Sequence, residues 1–160
     1  MARIMQSDLI WKELGKQIFG ILGMVNAKGQ ARSAGIVYVV HEKKINIATG
    51  DDAWKARHVR NNPYVSMTVP IAKRIPFLPW IKIPAATITF SGIAEVQSVI
   101  DVNPDVLNAL FRGRESEQEM LKTMCVIQIK PVGDFVTYGI GVRLTEMMDQ
   151  EKARGRSPVT

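Results

Sequence analysis

The period of the hydrophobic positions changes several times along the chain. Ser7–Gly15 carries Leu9, Ile10 and Leu14 at helical spacing, with Ser7 placed to cap the start and Gly15 to end it. This predicts a short helix whose apolar side packs on a sheet. Gln17–Asn26 reads as a strand, and Gly20 and Gly23 within it point to a bend or a close backbone approach. Asn26–Gln30 turns the chain, with Lys28-Gly29 supplying the positive-φ position. Ala31–Val40 is the next strand. Its near-continuous apolar run Gly35–Val40 predicts burial on both faces. His41–Lys44 forms a second hairpin and Ile45–Ala48 a third strand. Asp52 then caps a short helix over Ala53–Asn61, which Pro63 stops, and Tyr64–Val69 alternates as a strand.

The pattern breaks at Pro70–Ala85. Its four prolines exclude a regular helix or a central strand. Lys73, Arg74 and Lys82 are interspersed with Phe77, Leu78, Trp80 and Ile81. The segment is open to three readings: a basic-aromatic contact with an acidic membrane surface, a flap over a neighbouring subunit's site, or an extended connection packed on the sheet. Ala86–Val96 returns to a strand. Asn103-Pro104-Asp105 opens a helix through Arg112, followed by a polar helical piece over Glu115–Lys122. Met124–Lys130 is a strand, Pro131–Asp134 a turn and Phe135–Tyr138 a strand. The tail, from about residue 142, has helical propensity. Hairpin-linked strands with few helices predict a mainly β, antiparallel barrel or sandwich with helices at its ends.

Composition narrows the function classes. The 160 residues fit one domain, 1–160, with 46% apolar and 22% charged positions, an ordinary globular balance. The net charge of +6 favours an anionic partner. Cys125 is the one cysteine and His41 and His58 the two histidines, so neither a disulfide nor a metal cluster is expected. No stretch reaches the ~20 apolar residues of a membrane-spanning helix. No leader peptide is apparent, and a reducing cytoplasmic setting fits. No GxGxxG or GxxxxGK[ST] sequence occurs.

The candidate chemistry lies in Gln30–Val69. Arg32, Ser33, Thr49 and Lys55 are polar groups that such a fold can gather at one sheet end. A helix N-terminus near Ala53 would favour an anion, and Lys55 in its first turn is a cation that a bound phosphate would explain. Lys55, Arg57 and Arg60 also suit a solvated helix face. Asp51 and Asp52 oppose an anion, and Asp52 as cap would occupy an N–H group that a phosphate needs. Trp54 suits either stacking on a planar ring or anchoring the helix. Ser33, His58 and Asp51 lack the sequence context of a nucleophilic triad, and no catalytic acid or base is named.

Three pieces, GMVNAKGQARSAGIVYVV, INIATGDDAWKARHVRNNPYVSMTV and ITFSGIAEV, together resemble the pyridoxamine 5′-phosphate oxidase-like flavin-binding split barrels. CVIQIKPVGDFVTYG resembles that family's closing strands, so the likeness spans roughly Gln17 to Gly139. The resemblance implies a six-stranded antiparallel split β-barrel and a homodimer with cofactor at the subunit interface. It implies FMN bound by Arg32, Ser33, Thr49, Trp54 and Lys55. Lys55 suits the phosphate role. Trp54 departs from the family's basic residue there, and Ala53 stands where a hydroxyl residue is common. The tryptophan- and arginine-rich C-terminal segment of true pyridoxamine phosphate oxidases has no counterpart. Some members bind a deazaflavin, and some bind haem, which needs an axial ligand.

The expected function is therefore FMN-dependent oxidoreduction of a small organic substrate. The alternatives are a deazaflavin-dependent reductase and a non-catalytic flavin-binding protein. A nucleic-acid-binding barrel would need aromatics among basic residues on one strand face, and only Tyr38, Tyr64 and Trp54 offer them. No nucleic-acid partner is expected.

Overall fold

The computed structural model describes residues 3–112 and 117–160. The described chain runs β1 (Arg3–Ile4), α1 (Ser7–Lys16), β2 (Phe19–Val25), β3 (Ala31–Val37), β4 (Val39–His41), β5 (Lys44–Gly50), α2 (Trp54–Asn61) and β6 (Tyr64–Ile71). It continues through β7 (Ala86–Ser98), α3 (Pro104–Phe111), α4 (Gln118–Leu121), β8 (Met124–Tyr138), α5 (Gln150–Ala153) and β9 (Arg154–Pro158). The protein is mainly β, as its alternation predicts. All nine of these strands join one sheet, where six were expected.

The main ladder runs β1-β9-β8-β7-β6-β2-β3. β5 pairs with the first half of β8, and β4 with β5. All pairings are antiparallel except β1 with β9. β8 is the longest strand. The expected turn at Pro131–Asp134 is instead an irregularity inside it. Gly133 takes φ +73°, and the register against β7 shifts between Thr89 and Ser91. The chain kinks without reversing, so both halves of β8 stay on β7.

The strand expected over Ala31–Val40 is interrupted at Tyr38. β3 pairs with β2 and β4 with β5, so the chain changes partner there. The Tyr38 amide donates to Ile18 O at 3.0 Å and its hydroxyl to Leu14 O at 2.7 Å. Burial on both faces does not hold for β3. Ile36 is buried, whereas Ser33, Gly35 and Val37 on the alternate positions are exposed.

The core lies between the concave side of the sheet and α1. Ile10, Trp11 and Leu14 of α1 are buried, as their spacing predicts. Trp11 meets Phe135 edge to face at 5.3 Å, and Phe135 meets Phe90 in the same way at 5.5 Å. The cap position of α1 is Gln6, and the buried Ser7 hydroxyl has no partner. The tail carries a helical turn at Leu144–Glu146 and the one-turn α5, then becomes β9. Free edges on β8 and β1 give it backbone partners that helical propensity does not anticipate. Of the helical piece expected over Glu115–Lys122, Glu115 and Ser116 lie outside the described residues. The rest holds α4.

Burial pushes the Tyr38 phenol well above the usual tyrosine range. The folded state thus holds this proton more tightly than the unfolded state. The stability it contributes is intact below about pH 10 and is lost as the pH rises toward the raised folded value. Tyr38→Phe is expected to lower stability by about 1 kcal/mol near neutrality and to flatten this alkaline decline. Denaturant titrations across the alkaline range measure both.

Candidate functional site

Thr49 and α2 place the polar groups. Thr49 is buried on β5, opposite Cys125 of β8 and in line with the core residues Ile45 and Ile47. The chain leaves β5 at Gly50 and turns into α2. The Ala53 N–H donates to Gly50 O at 3.0 Å, and the Asp51 N–H to Thr123 O at 2.9 Å. The cap residue is Ala53, and no side chain caps the helix. Asp52 does not take the role expected of it. The first N–H groups of α2 therefore lack a side-chain acceptor.

Asp51 is engaged elsewhere. Its carboxylate pairs with Arg60 Nη2, and its carbonyl accepts from Arg60 Nη1 at 2.8 Å. This offsets one of the two acidic charges that argue against an anion. Ala56 and Val59 are buried and hold α2 on the sheet. Trp54, one residue into the helix, is half-buried and packs against the core cluster, so it does anchor α2.

Trp54 also gathers the cations. Arg32 Cζ lies 5.5 Å from its ring centroid and Lys55 Nζ 5.6 Å. His58, one turn on, meets the ring edge-on at 5.4 Å. Among the described residues neither Arg32 nor Lys55 has an ion pair. The structure thus brings Arg32, Trp54 and Lys55 together, with Thr49 at the end of the strand leading into their helix. Neither Thr49 nor Ser33 is hydrogen-bonded to the three. Neighbouring positions on a strand point to opposite faces, so Arg32 and Ser33 diverge. Ser33 opposes Gly23, which opposes Ser66, which opposes Ser91, on the outer face of the sheet.

Three hollows adjoin these groups. One of about 510 Å³ lies between β3 and β5 beneath α3; Gly35, Ile36, Val37, Ile47 and Ala48 form its walls, with Lys55 and Arg112 as its cations. A second, about 530 Å³, lies on the outer face and includes Arg32, Ser33, Tyr64 and Ser66. A third, about 450 Å³, is basic and is lined by Lys28, Arg32, Arg57 and His58. The first suits a planar ligand with an anionic end, its lining being mostly apolar with Lys55 and Arg112 as its two cations.

Arg112 has no place in the sequence reading. It ends α3 in the left-handed region, φ +50°, and only the tertiary arrangement takes it to the cleft. His58 follows Trp54 by four residues, a spacing that sets it on the same helix face and against the ring. Of the three aromatics the sequence offered, Tyr38 is buried, Tyr64 lies on the outer face and Trp54 on α2, so these three do not share one strand face. Among the described residues, no cluster of three or more His, Cys, Asp or Glu side chains suits a metal.

No protein-family model matches the chain, and no curated protein matches it in sequence. Solved structures do match. A candidate pyridoxamine 5′-phosphate oxidase from Listeria innocua superposes with a TM-score of 0.59 at 17% identity, over 78% of this chain and 92% of that one. The haem storage protein HutZ from Vibrio cholerae gives 0.63 at 17%, over 86% and 98%. The fold is that of the pyridoxamine 5′-phosphate oxidase-like split barrels. An F420 reductase shares it, at a TM-score of 0.52 and 16% identity, over 78% of this chain and 94% of its own. At these identities the likeness is one of fold, and the split-barrel proteins named differ in their ligands.

Cys125 lies under this site. Burial raises its thiol pKa, and the nearby Asp51 carboxylate raises it further. The thiol is expected to react with a disulfide reagent at neutral pH at least about tenfold more slowly in the folded protein than in denaturant. A stopped-flow labelling trace at pH 7 to 8 measures the difference.

Proposed function

We propose that the chain binds FMN and uses it for oxidoreduction of a small organic substrate, as a homodimer. The observation that carries this reading is that Arg32 and Lys55 each lie within 5.6 Å of the Trp54 ring, beside an uncapped helix start. Two cations without acidic partners, next to free N–H groups, make a phosphate site. The adjoining apolar cleft between β3 and β5 supports a planar ring system. The residues present therefore fit FMN, with Arg32 and Lys55 on the phosphate. Thr49 adds a hydroxyl at the end of the strand leading into the helix, Trp54 holds each cation against its ring, and Ser33, on the outer face, would offer its hydroxyl to a cofactor at the subunit interface. When bound, FMN supplies two-electron transfer. The chain's contribution is to orient it, to shield its ring with Ile36, Val37 and Ile47, and to set the local field with Lys55 and Arg112.

The strand pairing supports the six-stranded barrel at the centre of this reading. With β3 and β4 taken as one strand interrupted at Tyr38, the ladder passes β2, β3/β4, β5, β8, β7, β6 and back to β2. β9 and β1 then extend the second half of β8 outside the ring.

The outer sheet face supports the dimer. Phe19, Ile21, Val37, Tyr64, Ile93 and Val136 are all exposed and, by register, all lie on it. Small Gly23, Ser33, Ser66 and Ser91 lie among them. A twofold contact of this face with itself would bury an apolar patch that a lone chain leaves wet. It would also bring Ser33 beside the partner.

Absorption of the purified protein, with mass spectrometry of the released ligand, tests the cofactor. A flavin band with FMN released is expected. Lys55→Ala is expected to weaken FMN binding by about 1–3 kcal/mol in a fluorescence titration. A protein that takes up neither FMN nor a deazaflavin overturns the reading, and uptake of a deazaflavin alone replaces FMN with that cofactor. Bound FMN without turnover by reduced nicotinamide or other donors marks a non-catalytic flavin carrier. For the dimer, sedimentation should show a two-chain species that Ile21→Asp converts to one chain; a monomeric unaltered protein sinks that part.

A further inference from the structure

We propose that the Pro70–Ala85 segment is a docking surface for an anionic phospholipid bilayer. Pro70 and Ile71 complete β6, and the chain then projects from the sheet until β7 begins at Ala86. Two successive turns shape the projection. The Leu78 N–H donates to Ile75 O at 3.2 Å, and the Ile81 N–H donates to Leu78 O at 3.1 Å. Pro70, Pro76, Pro79 and Pro84 restrict the backbone around them. The result presents apolar side chains to solvent: Phe77 is 89% and Trp80 73% exposed, with Leu78 and Ile81 exposed beside them. Ile71 at the end of β6 is in the core and Ile83 packs against it, at the two ends of the projection. Packing of these aromatics on the sheet, one of the readings of the sequence, is not what the fold does with them.

The charge pattern identifies the occupant. The projection carries Lys73, Arg74 and Lys82 and no acidic residue. None of the three is in an ion pair among the described residues. Register adds a fourth cation: Pro70 opposes Thr87, Thr87 opposes Tyr138, and Tyr138 opposes Arg154. Exposed Arg154 therefore lies at the sheet end from which the segment leaves. Apolar and aromatic tips flanked by unpaired cations match a bilayer with acidic headgroups, where the tips enter the interface and the cations stay among the phosphates. A twofold contact of this loop with the same loop of a second copy is a poorer match, because it would set three cations against three with no acidic residue among them. The segment is also no lid on its own site, since α2 leads into the start of β6 and the projection leaves from the other end of that strand. No helix of the described residues is long and apolar enough to cross a membrane, so the contact is peripheral.

The test uses the full chain with vesicles of phosphatidylcholine, with and without phosphatidylglycerol. Co-sedimentation is expected with the acidic vesicles, weakening as salt rises. Binding should shift tryptophan emission to the blue. Trp80→Phe should keep binding and lose that shift, because Trp11 is buried and Trp54 lies on α2 at the other end of β6. A Phe77→Ser/Trp80→Ser double variant should bind about tenfold more weakly at an unchanged melting temperature. Absent binding, equal binding to neutral vesicles, or full binding by the double variant overturns the proposal. So does a double variant that changes the association state of the lipid-free protein, which would mark the loop as a contact between copies.

Discussion

A β-strand has two hydrogen-bonding edges, and the use of both edges of β8 organises this molecule. One edge is taken along nearly its whole length by β7. The other is divided: Met124–Ile129 pairs with β5 and Asp134–Tyr138 with β9. The division follows from the kink at Gly133, which turns the second half of the strand away from β5's line. Because β5 is held on the first half, Thr49 sits opposite Cys125 and α2 starts just beyond the sheet end. Because β9 is held on the second half, the C-terminal residues lie over the core end of α1, where Trp11 Nε1 donates to Val159 O at 3.2 Å. Phe135, fully buried between Trp11 and Phe90, fastens this half of the strand to the helix.

The site depends on local features of different kinds. The cap of α2 is left without a side-chain acceptor because the Gly50–Ala53 turn sets Ala53, rather than Asp52, at the cap. The Asp51–Arg60 pair ties the turn to the last helical turn and takes one carboxylate out of competition. Arg32 arrives from another hairpin altogether. Its approach to Trp54 is a consequence of β3 pairing with β2, whose own partner β6 follows directly from α2. Exposed pairs of cation and ring are modest in energy, about 0.5–1 kcal/mol each. Their importance is in placement: each holds a cation without an acidic partner against the Trp54 ring at the start of α2.

Two uncovered surfaces remain, and they differ in chemistry. The outer sheet face mixes apolar residues with serines and threonines, and its exposed charges, Glu95, Lys130, Arg154 and Arg156, lie toward β8 and β9. The Pro70–Ala85 projection combines aromatics with unpaired cations, which suits an acidic surface. Loops with several prolines lose less conformational freedom when they bind, so an exposed tip of this kind is already shaped for contact.

Much of this was legible in the residues because it depends on neighbours in the chain. The periods of Leu9–Leu14, Gly29 in its hairpin, Asn103 capping α3 and Pro63 ending α2 are local effects, and each stands where the sequence puts it. The ordered strand-turn-helix-strand pattern of Gln30–Val69 was enough to point to the fold. What the sequence left open depends on distant partners. Residues 154–158 are a strand because β8 and β1 offer edges. Pro131–Asp134 is a kink because β7 continues past it. Gly35 and Val37 face outward because no second layer covers β3 in one chain. Arg32 parts from Ser33 and meets Trp54 only once β3, β2, β6 and α2 are assembled. Local propensity sets which elements form, but which charges meet is decided by pairing register, and register is a property of the whole sheet.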